Sequence, residues 1–527
     1  MTETENKNTG ESIYGPLGEI ALTLSGGGYR AAAFHLGSLS MLHELGLLQD
    51  VTRLSTISGG TITGVKYVLE LRRHPQLDFG KFERDLRDFY AKTNVTAKAV
   101  SGLLKTTSSN GESLMPSLIR SAASVYANKD FVGHETFGSI RRAGFGIKEI
   151  SFNATDFFSG TRFRFQFSHR PNIYTGSVSG DVPEDVSDKI RLADIIAASS
   201  CFPGGFEPIF FPADFMWPEP IENIRASLKR KFSPDVPLMD GGIFDNQGID
   251  SLKRFLDRKD GSTNLFVISD SSPRCPKIYD RKSEQRRRWL PLWLIVVFAT
   301  FLFVSAGMSI LALLYDGIFL WRSGQLGIGH ATVSYLLPIL SALIVFGVLG
   351  LGFGLFLAKR AKAEVHIGGV NGWLRVLRLT VPEAIEFGVA RICSVLAMTS
   401  NVFMSRIRSL GFTSVYSDKE LNPFVLSNLI YDLDDEKLWK NKVPPQYFPK
   451  KRIRDIALDA ESYDTTLNFE NEEDSLDKLI ACGKSTMCFN ILRYLLYIRK
   501  SEADIRGTPL NLLLERVKIN WVEQNQD

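Results

Sequence analysis

The sequence predicts an α/β domain interrupted by a two-helix transmembrane hairpin. Three observations carry that reading. A strand, a glycine loop and a helix follow one another near the N-terminus. A second strand then runs into Ser-Gly-Gly and another helix. Two long uncharged apolar stretches occupy the middle of the chain.

Composition narrows the class. Apolar residues make up 44% of the 527 and charged residues 23%, an ordinary globular balance that excludes disorder as the main state. Lys and Arg number 62 against 58 Asp and Glu, a formal charge of +4, too small an excess for a dedicated nucleic-acid binder. The five cysteines are mostly far apart and form no C-x-x-C pair, which excludes a disulfide scaffold and a zinc knuckle and fits a reducing compartment. Residues 1–15 are polar, lack the apolar core of a signal peptide and read as a disordered tail.

The first unit begins with a short buried strand over 19–25. Gly26, Gly27, Gly28, Tyr29 and Arg30 follow, and a helical apolar pattern runs from Ala31 to Leu45 and stops at Gly46. Such a loop aims free backbone N–H groups at a negative charge. A phosphate loop of the Walker kind lacks its Gly-Lys-Ser/Thr ending here. A dinucleotide fingerprint is formally met by Gly26, Gly28 and Ala31, but no second strand ending in an acid accompanies it. An oxyanion hole is the third use, and it requires a nucleophile nearby.

The next strand, Val51 to Ile57, supplies one. It runs into Ser58, Gly59 and Gly60 and then a helix through Val65, Val68 and Leu71. A serine between strand and helix with small neighbours is a nucleophile elbow, whose usual form is G-x-S-x-G. Here Thr56 stands where the first glycine is usual.

A serine nucleophile needs a proton acceptor. None of the seven histidines follows a late strand in a loop, as a Ser-Asp-His order would require. Asp240 is the better candidate. It ends a strand and precedes Gly241 and Gly242, which leaves its carboxylate uncovered at a backbone turn, with Asp245 and Asn246 capping that turn. As a base it would need a carboxyl raised by partial burial. The cluster Ala197 to Pro208 reads as a helix end and a structural turn.

The membrane segment comes from the middle of the chain. Trp289 to Tyr315 is 27 residues without a charge, and Ser323 to Ala358 is 36 more with His330 as the one ionisable group. Each exceeds the ~20 residues that cross a bilayer as a helix, so spans are placed at 289–314 and 333–357. Arg281, Lys282, Arg286, Arg287 and Arg288 precede the first span, and Lys359, Arg360 and Lys362 follow the second. The positive-inside rule puts both flanks, and with them the N- and C-terminal parts, in the cytoplasm. Residues 370–412 carry helical apolar spacing, and 417–475 read as loop-rich and charged.

Together, the Gly26–Arg30 loop, the Thr56–Gly60 elbow and the Asp240–Gly242 motif, in that order, resemble the patatin-like phospholipase family. The Ala197–Pro208 segment, the Phe152–Asp156 strand and the region 464–495 look like further parts of it. The resemblance implies a three-layer α/β/α serine-hydrolase domain, with 16–280 as its main part, the hairpin of 289–358 inserted, and the helical remainder 363–527 completing it. It implies a Ser-Asp dyad with no metal and no cofactor. Ser58 is then the nucleophile and Asp240 the base. The N–H groups of Gly27 and Gly28, with Gly26, form the oxyanion hole. Arg30 braces that loop or meets a phosphate, the brace being the preferred reading. Gly59, Gly60, Gly241 and Gly242 support the two turns.

The implied activity is hydrolysis of glycerolipid acyl esters at a phospholipid bilayer, of the phospholipase A or lysophospholipase type. A catalytically inactive lipid-binding or scaffold protein of the same fold is the alternative, with Thr56 as its support. A phospholipase tethered to its own membrane is also expected to have an off-state, through a regulatory partner, a signal or a homo-oligomer.

Overall fold

The computed structural model describes residues 15–274 and 398–526, with 307, 394 and 395. It leaves out residue 75 and the stretches 104–115, 142–145, 170–172, 229–231, 233–234, 257–262, 420–423, 470–472 and 502–507. The tail up to residue 14 and, apart from residue 307, the spans at 289–314 and 333–357 lie outside the described residues. Among those described, no helix is long and apolar enough to cross a membrane. The chain forms one discontinuous compact unit, Met1–Ile278 with Leu396–Asp527, and a second, Tyr279–Val395.

The first unit is built on a mixed sheet. In chain order its strands are β1 (Glu19–Leu24), β2 (Val51–Ile57), β3 (Glu149–Asp156), β4 (Thr161–Ser168), β5 (Thr175–Ser177), β6 (Gly180–Val182), β7 (Ile209–Phe211), β8 (Val236–Asp240), β9 (Thr263–Asp270) and β10 (Val425–Leu429). The spatial order is β10-β9-β1-β2-β3-β4-β5-β6, with β8 against β3 and β7 against β8. From β10 to β3 the pairs are parallel; β4 runs antiparallel to β3. Parallel strands need crossover helices on their faces, so both faces are covered.

The two faces are visible in the alternation of the central strands. Ile20, Leu22 and Leu24 of β1 join the large core beneath helix α1 (Gly28–Glu44) and helix α2 (Gly59–Arg73). Ala21 points the other way, to Leu252 of the helix Ile249–Leu256. On that second face Ile268 of β9 meets Ile249 and Val415.

The C-terminal part packs tightly into this unit. Helix α1 crosses the helix Glu473–Ser501 with backbone against backbone. A Cβ on Gly37 would stand 2.0 Å from the carbonyl oxygen of Ile480, and one on Gly483 would stand 1.9 Å from that of Phe34. Gly483, beside Lys484 and Ser485, therefore serves helix crossing, and Lys484 pairs with Glu44. The helix Met404–Tyr416 buries Arg408 against Asp270 at the end of β9, with Nε 2.8 Å from the carboxylate.

The stretch 417–475 departs from the loop-rich reading. It supplies the sheet strand β10 and the helix Lys451–Ser462. The strand was hidden because its centre is polar: Ser427 and Asn428 are buried, and Asn428 Nδ2 donates to Ser38 Oγ (3.0 Å) and Ser269 Oγ (3.1 Å). A buried amide with partners is tolerated in a sheet but breaks the apolar pattern by which a strand is recognised.

Candidate active site

Strand register brings Ser58 and Asp240 together. The edge of β3 that faces β2 pairs with it up to Ile57 opposite Asn153. There β2 ends, and β8 continues along β3 from the opposite direction, with Asp240 opposite Ala154. The two strands meet head to head at consecutive residues of β3, and the residue after β2 is Ser58. The Ser58 hydroxyl is near enough to the Asp240 carboxylate to favour its ionised form.

Ser58 sits at the sharp strand-to-helix turn expected of an elbow. Its φ of 49° and ψ of −118° make it the one non-glycine residue with positive φ among the described residues. Such a conformation is worth ~1–3 kcal/mol of strain and persists only when the surroundings impose it. Close approach imposes it here. A Cβ on Gly59 would lie 1.9 Å from the carbonyl oxygen of Gly28, so the glycine loop rests directly on the turn. The N–H of Gly60 donates to the carbonyl of Ser25 (3.2 Å). Beneath the turn, the Ser58 N–H donates to Ser199 Oγ (2.9 Å).

Thr56 is accommodated from the helix side. A Cβ on Gly64 would stand 2.6 Å from Thr56 Cγ2, so the space usually left by a glycine in the strand is left by one in α2 instead.

Asp240 is buried at the end of β8. Burial pushes its carboxyl up to about 6, while the Ser58 hydroxyl and the N–H of Gly242 hold it down. The Gly242 N–H lies 2.7 Å from Oδ1. Gly241 lies against β3: a Cβ there would be 2.5 Å from the carbonyl oxygen of Asn153. Asp245 holds the rest of the turn, accepting from the N–H groups of Gln247, Gly248 and Asp250 at 2.7–3.1 Å.

The glycine loop divides its amides between structure and site. The Gly26 N–H donates to the carbonyl of Asn246 (3.0 Å). It holds the loop to the Asp240 turn, which corrects its placement in an oxyanion hole: a committed donor cannot meet a developing oxyanion. Gly27 and Gly28 have φ of 139° and 57°. Their N–H groups, and that of Gly59 at the start of α2, have no acceptor among the described residues. Gly59 thus adds a donor that the motif itself did not single out.

Arg30 braces the loop. Its Nη1 donates to the carbonyl of Tyr463 (2.7 Å), while Tyr29 N–H donates to that of Thr466 (2.7 Å). Burial lowers the Arg30 guanidinium to about 10, against the pull of Asp270 and Asp464. His35 is a satisfied core histidine: Nε2 meets the Ser25 carbonyl at 3.0 Å and Nδ1 meets Ser269 Oγ at 3.1 Å, and burial pushes it down to about 4.

Several residues at the site carry no sequence signal of their own. Ser199 sits in the Ala197–Pro208 cluster, at the end of the helix Leu192–Ser199, and supports the elbow. Ser271, just past the end of β9, is buried, with its N–H on Ser25 Oγ (3.0 Å).

A strained serine on a parallel-sheet elbow thus lies beside a buried carboxylate and backbone amides. Residues 22–253 match the family model described as patatin-like phospholipase. Among solved structures the chain is similar to human GIVD cytosolic phospholipase A2, at 16% identity and a TM-score of 0.33 over 49% of this chain and 44% of that one. A complex of the human enzyme with methyl gamma-linolenyl fluorophosphonate and terbium chloride gives 18% identity and a TM-score of 0.29, over 49% and 41%. VipD from Legionella pneumophila gives 12% identity and a TM-score of 0.25, over 96% and 92%. The chain thus spans less than half the length of the human enzyme. No curated protein matches it.

Proposed function

We propose that this chain is a membrane-anchored lipid acyl hydrolase that cleaves glycerolipid acyl esters through Ser58 and Asp240. The observation that supports the reading is the meeting of β2 and β8 on β3, which brings Ser58 beside the buried Asp240. The patatin-like match over 22–253 supports a lipid ester as substrate. So do the exposed Phe157 and Phe158, in the turn after β3, and Phe202, next to the Cys201 carbonyl that accepts the Asp240 N–H.

The chemistry follows from the groups present. The Ser58 oxygen attacks the ester carbonyl carbon while Asp240 takes its proton. The N–H groups of Gly27, Gly28 and Gly59 receive the negative charge that develops on the carbonyl oxygen. Asp240 returns its proton to the departing alcohol, leaving an acyl-serine. A water molecule, deprotonated by the same carboxylate, releases the fatty acid and regenerates Ser58. A carboxyl near 6 suits both directions: it is ionised at neutral pH yet basic enough to share a proton. Thr56, which favoured a non-catalytic reading, is matched by Gly64 and does not argue against the elbow.

The anchor rests on the two apolar stretches at 289–314 and 333–357 with their basic flanks. Tethering raises the effective concentration of acyl esters at the site without tighter binding. Extraction of membranes at alkaline pH should leave the chain in the pellet; its release into the supernatant would overturn the anchor.

The test of the activity is fatty-acid release from mixed phospholipid vesicles by the purified full chain, Ser58→Ala and Asp240→Ala. Release by wild type alone is expected. Equal release by a folded Ser58→Ala protein would overturn the reading.

A further inference from the structure

Below the elbow lies a run of buried hydroxyls that the mechanism does not use. Thr56 Oγ1 is 2.8 Å from Thr61 Oγ1, and Thr61 Oγ1 is 2.8 Å from Ser199 Oγ. Ser199 Oγ donates to the carbonyl of Asn153 (2.7 Å) and accepts the Ser58 N–H (2.9 Å). Thr56, Thr61 and Ser199 are all fully buried.

Counting protons fixes the direction of every bond. A hydroxyl has one hydrogen and two lone pairs. Ser199 gives its hydrogen to Asn153, so Thr61 must donate to Ser199. Thr61 then has no hydrogen left for Thr56, so Thr56 must donate to Thr61. The chain runs one way, from Thr56 through Thr61 and Ser199 to the Asn153 carbonyl. Both lone pairs of Ser199 are thereby occupied, one by Thr61 and one by the Ser58 amide.

The carbonyl of Ser58 is held separately, by the N–H groups of Thr61 (2.8 Å) and Ile62 (3.2 Å) in α2. Its two flanking peptide groups are therefore fixed by different elements, and the φ of 49° between them is set by where Ser199 stands. Asn153 is also the β3 residue opposite Ile57, next to the register at which Asp240 pairs. The same point of β3 thus anchors the nucleophile and sits beside the base.

We propose that Ser199 is a positioning residue that holds Ser58 in its strained conformation, with Thr61 and Thr56 fixing the direction of its hydroxyl. The proposal rests on Ser58 being the nucleophile. It also gives Thr56 a use that a glycine could not serve, since a glycine has no hydroxyl to begin the chain.

The test uses the detergent-solubilised full chain, an alkyl fluorophosphonate and p-nitrophenyl butyrate. In Ser199→Ala the rate of covalent labelling and kcat should both fall ~10- to 100-fold, with KM unchanged, because a slight misplacement of the attacking oxygen weakens only the chemical step. Thr61→Val should show the same loss in smaller measure, and Thr61→Ser, which keeps the hydroxyl, should restore most of it. The Thr61 pair leaves the Ser199 bond to Ser58 in place and so tests the idea even where Ser199→Ala folds poorly. A folded Ser199→Ala protein labelled as fast as wild type, or Thr61→Ser no better than Thr61→Val, would overturn the assignment alone. A folded wild type that takes no label would overturn the nucleophile reading and this assignment with it.

Discussion

The two halves of the site are held in different ways. The elbow at Ser58 is strained and fixed from a distance. Its amide is bound by Ser199, 141 residues on, and the Gly28 backbone presses on Gly59. The Asp240 turn is relaxed and largely fixed from within, by the Gly242 N–H and by Asp245 over the next five residues. What is unusual about Asp240 is electrostatic: it is a buried carboxylate with no paired cation among the described residues. Ser58, the proposed nucleophile, is thus prepared by geometry, and Asp240, the proposed base, by burial. A change that relaxes geometry should act on the first, and a change of pH on the second.

The largest effects should come from deleting either reacting group. Ser58→Ala should lower fatty-acid release at least ~10⁴-fold, and Asp240→Asn ~10³-fold or more, with far-UV circular dichroism unchanged. Asp240→Asn should also separate activity from stability. The folded chain holds the Asp240 proton more tightly than the unfolded chain, so the cost of burying its charge is present above about 6 and gone below about 3.8. The amide variant should therefore be more stable than wild type at pH 8 by roughly 1–3 kcal/mol, and the advantage should disappear as the pH falls through that window. A destabilised Asp240→Asn protein at pH 8 would contradict the burial argument.

Stability should respond next at the pair joining the C-terminal part to the sheet. Arg408 lowers the carboxyl of the fully buried Asp270 and also bonds the Pro273 carbonyl and the Tyr431 hydroxyl. Arg408→Ala should cost about 3 kcal/mol in chemical denaturation, because it strands a buried charge.

On the geometric side, Gly64→Ala should cost ~1–3 kcal/mol, since the new methyl would meet Thr56. Thr56→Gly in the same chain should recover most of that loss. Simple addition of the two single effects would show that the two sites are uncoupled.

The smallest effect is the pH profile. Labelling of Ser58 should follow ionisation of Asp240, whose surroundings include the Tyr126 and Cys201 side chains, both pushed up by burial and neutral at these pH values. The rate should be about tenfold lower at pH 5 than at pH 8. A profile flat to pH 5 would remove Asp240 from the role of base.

Much of the candidate site was legible in the sequence because Ser58, Asp240 and their glycines lie in short local motifs. Gly26–Arg30, Thr56–Gly60 and Asp240–Gly242 each combine a strand end with glycines, and that is where backbone amides and side chains are uncovered. The supports were not legible. Ser199 and Ser271 act across many residues, and a single hydroxyl carries no period. Gly26 shows the same limit in reverse: its motif is clear, but only the fold reveals that its amide is taken by Asn246. Strand β10 escaped because its buried Ser427 and Asn428 are held by hydrogen bonds to Tyr416 and to Ser38, which break the apolar alternation.

The central claim is that Ser58 is the nucleophile, and it is tested most directly by mapping a fluorophosphonate adduct on the full-length chain by mass spectrometry. The account predicts one adduct, on the peptide that carries Ser58, and none on Ser58→Ala. An adduct on another serine, or none on the folded wild type, would contradict it.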